Sequence, residues 1–424
     1  MNPNGRPEFR ARYWVESFEP LEKVAEIIAG EQSSGTFLRL AGETDELRER
    51  SRARVVSISP LEAAPLPSLH SEHLVRKGHR GEFARGEIVV AFPIANVGTN
   101  ISTLLATVAG NLFELGEVTG LRLLDIDLPD SYIDSFPGPR FGVQGTRELA
   151  GVHSGPMIGT IIKPSIGLTP RETARLVDSL CEGGIDFLKD DELMADPPYA
   201  PFTERLRAVA PVLQKHANRL GRMPMYAINI SGSIGEMRQR HDMVVAAGGT
   251  CVMASVNWVG HSAIEDLRRY TQLPIHGHRN GWGLWGRSPA LGFGFQAYQK
   301  IWRLAGIDHL HVNGLRNKFW EPDASVIESA RACLAPWGHT RPVMPVFSSG
   351  QWAGQAVDTY AQLGSADLMH LAGGGIIGHP QGIGAGVASM RQGWEAAVSG
   401  QSIDSYARTH LELQAAVQTF GSAS

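Results

Sequence analysis

Four groups between residues 157 and 192 suit one kind of chemistry. Lys163 closes the apolar run MIGTIIKP, and Lys189, Asp191 and Glu192 close GIDFLKDDE. Side chains alternate along an extended strand, so Lys189 and Asp191 share one face and Glu192 lies just past the end. Two carboxylates suit a hard cation such as Mg2+, whereas a lysine amine is a poor ligand unless CO2 converts it to a carbamate. A carbamylated Lys189 would supply the third oxygen. Taken alone, KDDE reads equally well as a solvated acidic turn. Lys163 could act as base or electrophile where burial and cationic neighbours depress its pKa, and is otherwise a surface lysine.

Further polar groups close later apolar runs. Arg279 could hold an anion or pair with a structural carboxylate. His278 could move a proton and His311 could donate to a phosphate, and either alone could equally be structural. Lys318 follows in the next loop, then Ser348, Ser349 and Gly350. Gly373, Gly374 and Gly375, followed by IIGHPQG, suggest a phosphate cradle, although a tight turn accounts for three glycines about as well.

These groups need a frame, and the apolar pattern supplies one. From Met157 onward eight short apolar runs recur, each followed by an amphipathic stretch: MIGTIIKP, GIDFLKDDE, MYAINISG, CVMASVNW, LPIHGHRN, HLHVNGLRNK, PVMPVFSSG and LMHLAGGG. That alternation predicts a (β/α)8 barrel with its chemistry at the C-terminal ends of the strands, a doubly wound open sheet being the minority alternative. The tail SIDSYARTHLELQAAVQTFG reads as a terminal helix. Residues 1–140 read as a smaller α+β domain, with strands in FRARYWVE, RARVVSISP and GEIVVAFPI and helices in LEKVAEIIAG and STLLATVAGNLF. The Pro, Gly and Ser-rich stretch after Asp130 reads as the linker, and the barrel domain as residues 150–424.

Composition narrows the class. Over 424 residues, 43% are hydrophobic and 19% charged, and 39 basic against 43 acidic side chains leave a net charge of −4. That balance gives no reason to expect nucleic acid or an anionic membrane as partner. Three scattered cysteines without metal-ligand spacing, and the absence of any long apolar run, lead to the expectation of a cytoplasmic protein.

The motifs also resemble a known family. GTIIKPSIGL (159–168) and GGIDFLKDDE (183–192) are similar to signature segments of the RuBisCO large-subunit superfamily, and IHGHRN, HVNGLRNK, SSG and GGGIIGHPQG follow in that family's order. EQSSGTF (31–37) and GNLF (110–113) resemble segments that a neighbouring subunit contributes to the family's site. The resemblance implies Lys189 as the carbamylated lysine, Asp191 and Glu192 as the other Mg2+ ligands, and Lys163 as the lysine of proton transfer. It further implies His278 and Lys318 as catalytic, with Arg279, His311, Ser349, Gly350, Gly373 and Gly374 as substrate and phosphate contacts. Glu31, Thr36 and Asn111 would come from the partner of a homodimer, with no small subunit.

Departures from the carboxylating pattern indicate the branch. Ser165 stands where a second lysine is expected, Phe37 where a tryptophan is, and Gln351 where a glycine is, while VNGLRNKFWEPD lacks the family's loop pattern around Lys318. The chain thus resembles a non-carboxylating RuBisCO-like protein. The implied chemistry is an Mg2+-stabilised enolate of a phosphorylated keto sugar acid, foremost decarboxylation of, or carboxyl transfer with hydrolysis on, 3-oxo-isoapionate 4-phosphate. A methionine-salvage enolase or 5-methylthioribulose 1-phosphate isomerase is the alternative enzyme, and a catalytically silent sugar-phosphate-binding barrel the alternative of another class.

Overall fold

A computed structural model describes residues 5–34 and 42–421. Its strands in chain order are β1 (Glu8–Ser17), β2 (Arg54–Ala64), β3 (Phe83–Pro93), β4 (Val118–Asp127), β5 (Met157–Ile161), β6 (Phe187–Lys189), β7 (Met225–Asn229), β8 (Cys251–Ser255), β9 (Ile275–His278), β10 (Leu291–Phe293), β11 (His309–His311), β12 (Met344–Phe347) and β13 (Met369–Leu371). The chain divides into two compact units, residues 1–136 with 281–304, and residues 137–280 with 305–424.

In the first unit five strands form one sheet in the order β10-β4-β1-β3-β2. Strands β1, β2, β3 and β4 pair antiparallel, and β10 joins the β4 edge in parallel, Leu291 opposite Leu121 and Phe293 opposite Leu123. Alternate residues of β1, namely Phe9, Ala11, Tyr13 and Val15, are fully buried. The helix Leu21–Glu31 lies against β2 and β3 and turns Val24, Ala25 and Ile28 inward. Strands β4 and β10 went unread in the sequence. In β4 the ladder slips, with Arg12 opposite Asp125 but Tyr13 opposite Leu123, and that irregularity breaks the two-residue alternation.

The second unit is a closed parallel barrel in the order β11-β12-β13-β5-β6-β7-β8-β9, and each of its strands lies in one of the eight predicted runs. The strands are short and buried almost throughout, because helices cover them outside and side chains fill them inside. Local signals start the helices where the sequence places them. Thr169 caps Pro170–Glu182 in a reciprocal box with Glu172, with proline at the first turn, and Ser233 with Glu236 repeats the box at Ile234–Ala246.

The expected linker is partly structural. Its residues Gly142–Ala150 form a helix, and Ala150 and Val152 join a buried layer with Met157, Met225, Cys251, Met344 and Met369, the first residues of five barrel strands. Buried Asp308 anchors this plug, accepting from the N–H groups of Phe141 (2.6 Å), Gly142 (2.9 Å) and Ile275 (2.9 Å) and from Arg268 (2.9 Å). One end of the barrel is therefore filled, and the polar residues gather at the other. The predicted terminal helix is two, Ile403–Ala407 and Leu411–Phe420.

Candidate active site

Strand β6 carries the densest group. Lys189 is fully buried, and its Nζ donates to the carbonyl of Asp190 at 2.7 Å. Burial lowers its pKa to about 8, against the opposing pull of Glu192, Asp191 and Asp190. Alternation turns Asp190 the other way. Its carboxylate accepts from Arg205 at 3.1 Å, from the Asn229 N–H at 2.9 Å and from the Tyr226 hydroxyl, all of them buried. Asp191 takes an ion pair from Lys163 Nζ at 2.7 Å. Burial by itself would raise the Asp191 carboxyl, but the Lys163 bond and the charges of Lys163 and Lys189 prevail and hold it below its ordinary value. Lys163 Nζ also donates to Ser165 Oγ at 2.6 Å.

Asn229, at the end of β7, donates to the carbonyls of Asp191 (3.3 Å) and Glu192 (3.2 Å), fixing the backbone on which both carboxylates sit. Glu192 Oε2 lies 3.5 Å from His278 Nε2. Burial pushes His278 down to about 3, so it is neutral near pH 7, and its ring packs against His311 at 4.4 Å between centroids. His311 in turn bonds Ser348 Oγ at 3.0 Å and His276 Nε2 at 2.9 Å.

Arg279 and Glu321 form a buried ion pair at 2.6 Å, and Asn313 donates to the same carboxylate oxygen at 2.6 Å. Ser349, in left-handed backbone at φ 75°, donates to Asn313 Oδ1 at 3.1 Å. Gly373 lies beside the lysine of β5, since a Cβ there would sit 3.7 Å from Lys163 Cγ, whereas Gly374 faces open space. Strands β5, β6, β9, β11, β12 and β13 thus bring Lys163, Lys189, Asp191, Glu192, His278, Arg279, His311, Ser349 and Gly373 to the strand ends opposite the plug.

The family model described as ribulose bisphosphate carboxylase large chain, catalytic domain, matches residues 142–420, and the one for the N-terminal domain matches residues 15–132. The chain belongs to the ribulose bisphosphate carboxylase large chain family. A relative from Xanthobacter autotrophicus, named 3-oxo-isoapionate-4-phosphate transcarboxylase/hydrolase, is 53% identical over 409 residues, 96% of this chain and 98% of its own. A relative from Rhizobium rhizogenes, named 3-oxo-isoapionate-4-phosphate decarboxylase, is 43% identical over 96% of this chain and 97% of its own. The crystal structure of a rubisco-like protein from Burkholderia fungorum superposes with a TM-score of 0.93 at 49% identity, covering 98% of this chain and 100% of that one.

Other family-matched positions stand apart from the cluster. Lys318 is exposed on the loop after β11, its Nζ 5.3 Å over the Phe319 ring, while its backbone N lies 3.6 Å from where a Cβ on Gly350 would sit. Glu31 and Asn111 belong to the first unit. There they occupy neighbouring element ends, because Gln32 Nε2 lies 3.4 Å from a Cβ placed on Gly110. Thr36 and Phe37 lie outside the described residues. The sequence reading missed Asp190, Asn229 and Glu321 as site-building residues. Strand alternation already set Asp190 opposite Lys189 and Asp191, but the Glu321 pairing had no local signal. No described helix is long and apolar enough to cross a membrane.

Proposed function

We propose that this chain is an enzyme that acts at the carboxyl-bearing carbon of 3-oxo-isoapionate 4-phosphate, through an Mg2+-stabilised enolate, and does not carboxylate ribulose bisphosphate. The donor set fits the ion in a particular way. Among the described residues no group of three His, Cys, Asp or Glu side chains is placed to hold a metal, so Asp191 and Glu192 need a further oxygen donor. Lys189, buried beside them, would supply it as a carbamate. When bound, Mg2+ acts as a Lewis acid for the oxyanion that develops at the ketone.

The chain's own residues do the remainder. Breaking the bond to the carboxyl group of a 3-oxo acid leaves its electron pair on the carbon beside the ketone. Lys163, held on Asp191 and Ser165, stands ready to return a proton there. His278, neutral near pH 7 and 3.5 Å from Glu192, is the second group we assign to proton transfer. Arg279, His311, Ser349, Gly350, Gly373, Gly374 and the loop Lys318 take the substrate's anionic groups. Glu31, Thr36 and Asn111 of a second copy complete the site in a homodimer.

The observation that carries the reading is the Lys163 to Ser165 bond, which puts a neutral hydroxyl where a carboxylating site keeps a cation. Losing one preorganised donor or charge costs about 10²- to 10³-fold in rate. Between the two fates of the carboxyl group, the higher identity to the transcarboxylase/hydrolase than to the decarboxylase favours transfer with hydrolysis, and decarboxylation is the second reading. Substrate labelled with ¹³C at the carboxyl, incubated with protein, Mg2+ and CO2, separates them. Transfer leaves the label in a non-volatile acid, and decarboxylation releases it as CO2. Absence of turnover, together with brisk conversion of 5-methylthioribulose 1-phosphate or incorporation of bicarbonate into ribulose bisphosphate, would overturn the proposal.

A further inference from the structure

Gln351 follows Gly350 at the end of β12 and is buried. Its side chain is fully engaged. Nε2 donates to the carbonyls of Leu315 (3.0 Å) and Ser349 (3.2 Å), and Oε1 faces His370 Nε2 at 3.3 Å. The far end of this chain of bonds fixes its direction. An indole N–H can only donate, so Trp394 Nε1, 2.8 Å from His370 Nδ1, makes that nitrogen the acceptor and leaves the proton on Nε2. His370 then donates to Gln351 Oε1, and both amide protons point at the two carbonyls.

Leu315 lies in the loop between β11 and the helix Asp323–Leu334. That loop carries Asn313 and Glu321, which hold Ser349 and Arg279, and also Lys318. It crosses directly over Gln351. A Cβ on Gly314 would come within 2.2 Å of Gln351 Cδ, so the loop backbone approaches this closely only because residue 314 is glycine.

We propose that Gln351 is a positioning residue that keeps the 312–322 loop docked on the end of β12 before substrate arrives, presetting Lys318 and the Arg279 to Glu321 pair. The docking stands independently of the reaction, while its effect on turnover rests on the function proposed above. Gln351→Met keeps the length of the side chain and removes its three bonds. In the full-length, substrate-free protein, hydrogen exchange of amides 314–319 should quicken on the order of tenfold, with the barrel strands unchanged. Trypsin should also cut sooner after Arg316 or Lys318. With 3-oxo-isoapionate 4-phosphate, KM should rise about tenfold while kcat stays within about threefold, because the displaced groups bind the substrate's anionic ends. Should Gln351→Met fail to fold, Gly314→Ala displaces the Gln351 side chain from the opposite side and should give the same loop-confined change. Unchanged loop exchange in a folded variant overturns the proposal, as do wild-type 314–319 amides that exchange at the rate of an unstructured peptide. Normal loop protection with no turnover of that substrate would instead count against the proposed reaction alone.

Discussion

Replacing Asp190 by asparagine removes the one negative charge, among the described residues, that faces Arg205 at an ion-pair distance between β6 and the covering helix Phe202–Leu220, where both side chains are fully buried. Breaking a buried pair by removing one partner costs about 3–5 kcal/mol. Two features of the structure locate Asp190→Asn within that range. Arg205 keeps the carbonyls of Ala200 (2.9 Å) and Ala195 (3.1 Å), which lowers the cost. An amide, however, has one acceptor oxygen; with it kept for the Asn229 N–H, the NH2 group faces the Tyr226 hydroxyl, which must turn to accept and loses its charged acceptor, and this raises the cost. The expected loss is about 4 kcal/mol, or about 8 °C in Tm at about 2 °C per kcal/mol for a unit of this size. Urea titration of the variant measures it. Asp190→Asn combined with Arg205→Met should recover much of the loss, since the stranded cation is then gone, giving a coupling of about 2 kcal/mol or more. A single variant within about 1 kcal/mol of wild type, or a strictly additive cycle, would refute the view that this pair supports β6.

Lys189→Ala should lose Mg2+ affinity and turnover together, measured by calorimetry and by the labelled-substrate assay, and full activity in that variant would rule out the carbamate. Co-expressed Asn111→Ala and Lys163→Ala subunits should regain part of the activity through hybrid dimers that retain one intact site, and proven hybrids without rescue would count against shared sites. Burial lowers His309 and His370 to about 3, so below pH 6.5 the unfolded chain takes up protons that these folded histidines refuse. Their contribution is therefore intact above pH 6.5 and declines as pH falls toward 3. Each should cost about 2 kcal/mol of stability at pH 5, and a flat urea midpoint between pH 7 and 5 would disprove it.

The barrel was legible because strands buried on both faces read as short, largely apolar runs, and most of them end in polar residues that face its open mouth. Alternation then gave Lys189 and Asp191 one side. What escaped was set by partners distant in sequence. Leu291–Phe293 is a strand only because the edge of β4 accepts it, and Gly142–Ala150 is a plug only because Asp308, more than a hundred residues later, holds its first amides. Arg279 could be read as an anion site or as half of an ion pair, and Glu321, 42 residues on, supplies the other half. Gln351 stood out as a departure from the family pattern, but nothing near it in sequence pointed to the Leu315 carbonyl.

The excursion of residues 281–304 out of the barrel sequence into the first unit bears on how this protein can be taken apart. The chain passes between the units at residues 136/137, 280/281 and 304/305, so a single cut in the 130s leaves them joined. A fragment beginning at residue 137 would still carry Trp282, Tyr298 and Trp302, which are buried in the intact chain, without the β4 edge that β10 needs. Such a fragment should aggregate where an ordinary two-domain protein would yield a soluble half. A clean separation would need the 281–304 segment replaced by a short turn as well. An N-terminal unit exchanged by simple fusion at the boundary would have to supply an edge strand that receives β10 as β4 does.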